Sequence, residues 1–475
     1  MQTNLNAALL AISLDRSAPE PLHLQLTEAL RHLILSGQAL PGARLPASRQ
    51  LAKDLSVSRQ TALTALDQLV AEGYLDTRQG AGCFVASDLP HLAPPAPSLT
   101  PPPEPPVAYR PFQPGIPDMT LLPHATWARH LDRAWRHPNP DLLAMPNPLG
   151  WPALRAAIAA HLMAWRGIDC APGQVVITSG ATETFELLAQ ALLQTGDKVL
   201  VEQPGFAPMR AALLRAGLVP VSMDLDEDGA QLAVESNARA VVLTPSRHYP
   251  LGMTMPLPRR LAFLEWAART SAWIIEDDYD SEFRYTGTPL PALMSLGTGQ
   301  TIYVGSFSKL ISPALRLAYM VLPPSLVEPI RQALAETGPR ASLVPQPALA
   351  AFMDSGAFAT HLRRMRRVYA DRQKALLRSL SRHLPEDALI AEPDPSGMHL
   401  VCRLGPALAT IRDTDISERA AKAGLTVRAL SAYWPDGVGP TGLVLGYAAF
   451  SAEQLDGAVQ RLAAVLHEGS APVST

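Results

Sequence analysis

Between residues 88 and 117 the chain carries prolines at positions 90, 94, 95, 97, 101, 102, 103, 105, 106, 111, 114 and 117. Each proline fixes its own φ and lacks a backbone N–H, so this run packs neither as helix nor as central strand and favours extended polyproline II geometry. The sequence on either side is strongly patterned. Residues 88–117 therefore read as a semi-rigid linker between folded regions rather than as a proline-rich ligand for another domain. A chain of 475 residues needs such divisions, since length alone favours about three units.

Composition narrows the classes. Hydrophobic residues make up 47% and charged residues 17%, which fits packed globular domains and excludes a mostly disordered chain. The net charge of −3 gives no bulk attraction to nucleic acid, so any DNA contact has to come from placed residues. Cys83, Cys170 and Cys402 lack the paired spacing of a metal or redox site, and a reducing cytoplasm is expected, with no metal. The apolar stretch before residue 14 has no basic leader, and no apolar run is long enough to span a bilayer, so neither a signal peptide nor a membrane partner is expected.

Ahead of the linker, Leu22, Leu26, Ala29, Leu30, Leu33 and Ile34 recur at helical spacing, followed by Gly37 and a Pro41-Gly42 turn. A second helix is expected over 49–55. Ser58 caps a third that runs to residue 72, where Gly73 ends it. Residues 74–86 alternate around Gln79-Gly80-Ala81-Gly82, the pattern of a hairpin. Three helices and a hairpin make a winged helix-turn-helix over residues 1–87. That segment balances seven basic residues against seven acidic ones, yet Arg44, Arg49, Lys53, Arg59 and Arg78 fall in the elements that would face DNA. Ser58, Arg59, Gln60 and Thr61 open the third helix, where side chains enter the major groove. Arg44 and Arg49 suit phosphate contacts, and Arg78 and Gly80 would bring the wing near the minor groove. A winged helix serving as a protein-interaction module is the alternative.

After the linker, helical patterns alternate with apolar strands at 174–178, 198–202, 240–244, 272–277, 301–304 and 318–322. Such alternation gives a mainly parallel sheet covered by helices, an α/β domain over 118–328. From about residue 329 the pattern turns helical, with a long basic helix near 361–380, and ends in a small α+β lobe, so 329–475 form an interdomain helix and that lobe.

The chemistry concentrates in Ile302-Tyr-Val-Gly-Ser-Phe-Ser-Lys309-Leu-Ile-Ser-Pro-Ala-Leu-Arg316. A lysine where a buried strand ends can form a Schiff base, and Ser306, Ser308 and Arg316 can hold a phosphate. Thr178-Ser-Gly-Ala-Thr-Glu183 follows a strand and opens a helix, so backbone N–H groups of Ser179, Gly180 and Ala181 make an anion pocket. Asp277 ends a strand where a carboxylate can pair with a protonated pyridine nitrogen. Tyr279 is placed to hydrogen-bond a ring's phenolic oxygen, and Phe206 to stack on its face. Singly these are a solvated lysine, a turn-capping aspartate and a core phenylalanine. Their joint order is the grammar of a pyridoxal phosphate site.

The N-terminal motifs, including Pro41-Gly-Ala-Arg-Leu-Pro-Ala-Ser-Arg49 and Val57-Ser-Arg-Gln-Thr61, resemble the GntR-type winged-helix domain, with Leu66-Asp67 where an Ala-Tyr pair is common. Residues 112–466 resemble fold-type I aminotransferases. Together with Ile275-Glu-Asp-Asp-Tyr-Asp-Ser-Glu-Phe-Arg-Tyr and Thr244-Pro-Ser…Tyr249-Pro-Leu-Gly, the whole chain looks like a MocR/GabR-type transcriptional regulator. The resemblance implies that Lys309 carries pyridoxal 5'-phosphate as a Schiff base, Asp277 pairs with the pyridine nitrogen, and Tyr279 contacts the phenolic oxygen. It implies that Ser179, Gly180, Ala181, Ser306 and Arg316 hold the phosphate. It also implies double-stranded DNA and an amine or amino acid effector as partners, and a homodimer. Arg428 in Gly424-Leu-Thr-Val-Arg is the candidate for an effector carboxylate, with a plain surface arginine as the alternative. Two departures stand out: Met145 where a tyrosine commonly reaches the partner subunit's phosphate, and Arg247-His248 in place of a usual His-Gln. The competing class is an aminotransferase with a DNA-binding appendage. The absence of an arginine in Gly442-Leu-Val-Leu-Gly-Tyr-Ala-Ala argues against turnover, and a cofactor-free scaffold would leave Lys309 without a role.

Overall fold

The computed structural model describes residue 9 and residues 12–78, 82–89, 109–144, 147–232, 237–297 and 299–470. It divides into two compact units, Met1–Val107 and Ala108–Thr475.

In the first unit, α1 (Leu22–Leu35), α2 (Ser48–Asp54) and α3 (Arg59–Ala71) precede an antiparallel pair, β1 (Leu75–Arg78) and β2 (Gly82–Val85). Leu26, Leu30, Leu51, Ala62, Ala65, Leu66, Leu69 and Leu75 pack into one core, the helical apolar stripes having turned inward as their spacing requires. Ser58 caps α3: its hydroxyl accepts the Thr61 N–H at 2.9 Å, satisfying one of the donors a helix start leaves free.

The second unit is built on a seven-stranded sheet. Its strands are β3 (Val175–Thr178), β4 (Lys198–Glu202), β5 (Val219–Met223), β6 (Ala240–Leu243), β7 (Trp273–Asp278), β8 (Thr301–Ser306) and β9 (Ala318–Val321), in spatial order β3-β9-β8-β7-β6-β4-β5. The five strands from β8 to β5 are parallel, and β9 runs antiparallel to both neighbours. The edge strand β5 is absent from the sequence expectation because Pro220 and its half-exposed, polar-interrupted pattern hide it. α4 (Pro152–Arg166), α5 (Ala181–Leu192) and α6 (Ala207–Arg215) belong to the same unit, and the buried residues of α4 and α5 pack on the sheet's faces. The long helix α7 (Ala357–His383) leads to a four-stranded antiparallel sheet of β10 (Leu389–Ala391), β11 (His399–Leu404), β12 (Arg428–Ala429) and β13 (Gly442–Gly446), on which α8 (Ala452–Ser470) packs.

The linker expectation of 88–117 is corrected at its C-terminal end. Residues 90–108 lie outside the described residues, but 109–117 fold onto the second unit. Phe112 is wholly buried and its carbonyl accepts the Gly446 N–H at 2.8 Å, while Pro111 O accepts from Thr426 N at 2.9 Å. An aromatic ring placed among prolines finds more stabilisation in the core than in solvent. Among the described residues no helix is long and apolar enough to cross a membrane, and no group of three or more His, Cys, Asp or Glu side chains could hold a metal ion.

Candidate cofactor site and nucleic-acid interface

Ligands of open α/β sheets bind outside the carboxyl ends of the parallel strands, and that is where the expected residues meet. β7 carries carboxylates at 276, 277 and 278, and period-two alternation sends them to opposite faces. Glu276 and Asp278 turn to the buried Arg166 of α4, Asp278 at 2.9 Å, and Asp278 also accepts the Tyr303 hydroxyl at 2.7 Å. Asp277 and Tyr279 turn the other way, into a cavity of about 110 Å³. Ala181, Phe206, Ser306 and Lys309 line the same cavity, so six of the nine expected cofactor residues share it.

The other three stand beside it. Gly180 is the N-cap of α5 with φ 147°, and a Cβ built there would lie 3.6–3.7 Å from the Arg316 guanidinium. The bare backbone of the helix start and an arginine that makes no ion pair among the described residues thus form one cradle. One donor is already used, since Ser179 N–H bonds the Glu183 carboxylate; the next N–H groups of a helix start have no intrahelical acceptor. Ser306 caps the short helix Phe307–Leu310, its hydroxyl accepting from Ser308 N at 3.2 Å.

Electrostatics single out the same groups. Burial raises Asp277 to about 7, with the Asp278 charge adding and Lys309 opposing. No described residue hydrogen-bonds its carboxylate, so a cationic N–H in the cavity would meet an unengaged acceptor. Lys309 is lowered by burial, opposed by the carboxylates of Asp280 and Asp277 and reinforced by Arg428. Its Nζ donates to Gly115 O at 2.9 Å. Tyr279 accepts from Arg247 Nη1 at 3.0 Å. Arg428 is exposed on β12, and its charge reaches both Lys309 and Tyr433. Met145 lies outside the described residues.

Sequence reasoning assigned no role to Pro114, Gly115, Tyr249, Asp280, Met398 and His399, which also line the cavity. Asp280 and Tyr249 sat in motifs already singled out. Pro114 and Gly115 were hidden by the linker reading, and Met398 and His399 come from the small lobe, a long-range approach with no local pattern. Tyr249 stands edge-on to Phe206, Tyr279, His399 and Tyr433 with centroids 5.5–6.0 Å apart, an arrangement that fixes the aromatic wall.

On the first unit, Arg44, Arg49, Ser58, Arg59, Gln60 and Arg78 are exposed and Thr61 is half-buried; Gly80 lies outside the described residues. The Arg44 backbone forms an antiparallel bridge with Phe84 of β2, and the Arg78 guanidinium stacks on the Phe84 ring at 4.4 Å, so both residues attach to the hairpin.

The chain belongs to the aminotransferase class I and II family, which it matches over residues 117–462, and residues 22–85 match the gntR family of bacterial regulatory proteins. The MocR/GabR-type architecture expected from the motifs is the architecture of this chain. It is 40% identical over 456 residues to the probable rhizopine catabolism regulatory protein MocR of Rhizobium meliloti, covering 92% of each chain. It is 34% identical over 454 residues to the HTH-type pyridoxine biosynthesis transcriptional regulator PdxR of Corynebacterium glutamicum, covering 94% of this chain and 96% of that one. Among solved structures, LysN, an alpha-aminoadipate aminotransferase of Thermus thermophilus complexed with N-(5'-phosphopyridoxyl)-L-leucine, superposes with TM-score 0.68 at 26% identity, over 75% of this chain and 92% of that one. Family and donor set agree on pyridoxal 5'-phosphate as the group this cavity takes, and the gntR-type region makes the first unit DNA-binding.

Proposed function

We propose that the protein is a pyridoxal phosphate-dependent, DNA-binding transcriptional regulator, a cytoplasmic homodimer in which Lys309 senses an amino compound or the cofactor itself. The observation that carries this is one chain joining a gntR-type winged helix to a cavity lined by Lys309, Asp277 and Tyr279. When bound, the cofactor supplies an aldehyde carbon that condenses with primary amines and a ring that accepts electron density. The protein's part is positioning. Burial favours the neutral, nucleophilic amine of Lys309. Asp277 supplies the acceptor for a pyridine N–H, Tyr279 faces the phenolic side, and Phe206 covers the ring. The Ser179 hydroxyl, the Gly180 and Ala181 N–H groups, Ser306 and Arg316 take the phosphate, and Arg428 takes a carboxylate on the effector.

Paired heads gain avidity on paired half-sites, which supports the dimer. Arg44, Arg49, Ser58, Arg59, Gln60, Thr61, Arg78 and Gly80 form the proposed DNA contacts, within domains of 1–87, a linker from 88, and the PLP-binding body. The second reading, an aminotransferase with a DNA-binding appendage, draws support from the complete lysine, aspartate and tyrosine set. Against it, β13 is wholly buried and presents only Gly442, Leu443, Val444, Leu445 and Gly446, with no guanidinium for a substrate carboxylate. The test is a visible absorbance band in the purified chain that Lys309→Ala removes, combined with product counting. A regulator gives at most about one product per site with amino donors, whereas sustained turnover favours the enzyme.

A further inference from the structure

Arg247 follows β6 and is a fully buried cation with four partner residues. Its Nη1 donates to the Tyr279 hydroxyl oxygen at 3.0 Å and lies 3.4 Å from Asp280 Oδ2. Its Nε and Nη2 reach Asp394 Oδ2 at 3.1 and 2.7 Å, and Nη2 also donates to His399 O at 3.0 Å. Asp394 and His399 belong to the small lobe, between β10 and the start of β11, so one guanidinium ties the cavity wall to that lobe. The backbone is cut to admit it. A Cβ at Gly397 would stand 2.3 Å from Arg247 Cζ, and one at Gly252 would stand 2.6 Å from Asp394 Oδ2. Both glycines have positive φ, so neither position accepts a side chain cheaply.

A guanidinium is a donor only. Because Tyr279 O accepts from Arg247, the tyrosine's own O–H has to point away from it, and Tyr279 lines the cavity. We propose that Arg247 is a dual positioning residue: it aims the Tyr279 hydroxyl into the cavity at the cofactor's phenolic oxygen, and through Asp394 it latches the small lobe over the site. The second tie makes the latch sensitive to what the cavity holds, since a charge change beside Tyr279 acts on the guanidinium that also grips Asp394. This rests on the cofactor reading above. A purely structural ion cluster is the competing account.

The two roles separate in an experiment on the full-length, cofactor-loaded chain. The pH midpoint of the cofactor's visible absorbance is measured together with amide hydrogen exchange of residues 394–399, in wild type, Arg247→Gln, Arg247→Lys and Asp394→Asn. The Tyr279 hydrogen bond and the Arg247 charge both favour the deprotonated chromophore, so Arg247→Gln raises the midpoint by about one pH unit or more, and Arg247→Lys, which keeps the charge, raises it less. Asp394→Asn leaves the midpoint where it is or lowers it, while exchange at 394–399 speeds up about tenfold. The proposal is overturned by an unmoved midpoint in both Arg247 variants, by an Asp394→Asn midpoint that rises, or by unchanged exchange in Asp394→Asn. Should Arg247→Gln not fold, Arg247→Lys and Asp394→Asn decide alone. Failure of the underlying reading looks different: wild type then shows no Lys309-dependent band at all.

Discussion

Asp277, Asp280 and Glu202 are each raised by burial to about 7. A carboxyl whose folded pKa lies above its unfolded value holds its proton longer in the folded state, so the folded chain loses stability as pH rises through that window. For the cofactor-free protein, thermal melts between pH 5 and 7 are expected to show a falling contribution from Asp277, and Asp277→Asn should flatten the slope. Cofactor should oppose the fall, because a ring N–H gives the carboxylate a partner. A wild-type slope equal to that of Asp277→Asn would contradict the account. Cofactor affinity is the companion measurement: Asp277→Asn keeps the shape, removes the charge, and should weaken binding about tenfold or more.

Elements were legible wherever local physics decides them. The Ser58 cap, the Gly73 stop and the apolar stripe of α1 are local signals, and all three helices of the head begin and end within a residue or two of their expected places. The inner parallel strands β4, β6, β7 and β8 read from their apolar runs because both faces are buried, whereas the half-exposed edge strand β5 did not. Asp277 and Tyr279, at the end of β7, and Lys309, on the short helix just past β8, could be picked out because each follows an apolar run and has a recognisable neighbour. What stayed hidden depends on distant chain: residues 109–117 looked like linker until Phe112 met Gly446, and Asp394 and His399 gave no sign of approaching Arg247. Two predictions belong to this scale. Ser58→Ala removes the cap of α3 and should cost the head about 1 kcal/mol, read by chemical denaturation followed on the N-terminal unit. In Gly446→Ala the new Cβ would stand 2.2 Å from Gln113 O and 2.7 Å from Pro114 Cα. Backbone must move, and because Pro114 and Gly115 line the cavity, the variant should retain less cofactor after dialysis than wild type.

The whole molecule joins a head whose charges cancel to a body in which a half-buried lysine, Lys309, lines a cavity. The net charge of −3 gives no bulk attraction to DNA, and the proposed contacts are the exposed Arg44, Arg49, Arg59 and Arg78. Arg59→Ala should weaken operator binding and lower the slope of log affinity against log salt by about one; an unchanged slope would remove Arg59 from the phosphate contacts. The most direct test of the central claim is footprinting of the full-length chain on the DNA upstream of its own gene, with and without pyridoxal phosphate and a panel of primary amines and amino acids, in wild type and Lys309→Ala. The account predicts a protected site whose affinity or pattern changes with a ligand in wild type and does not change in Lys309→Ala. No protection under any condition, together with steady transamination, would contradict it.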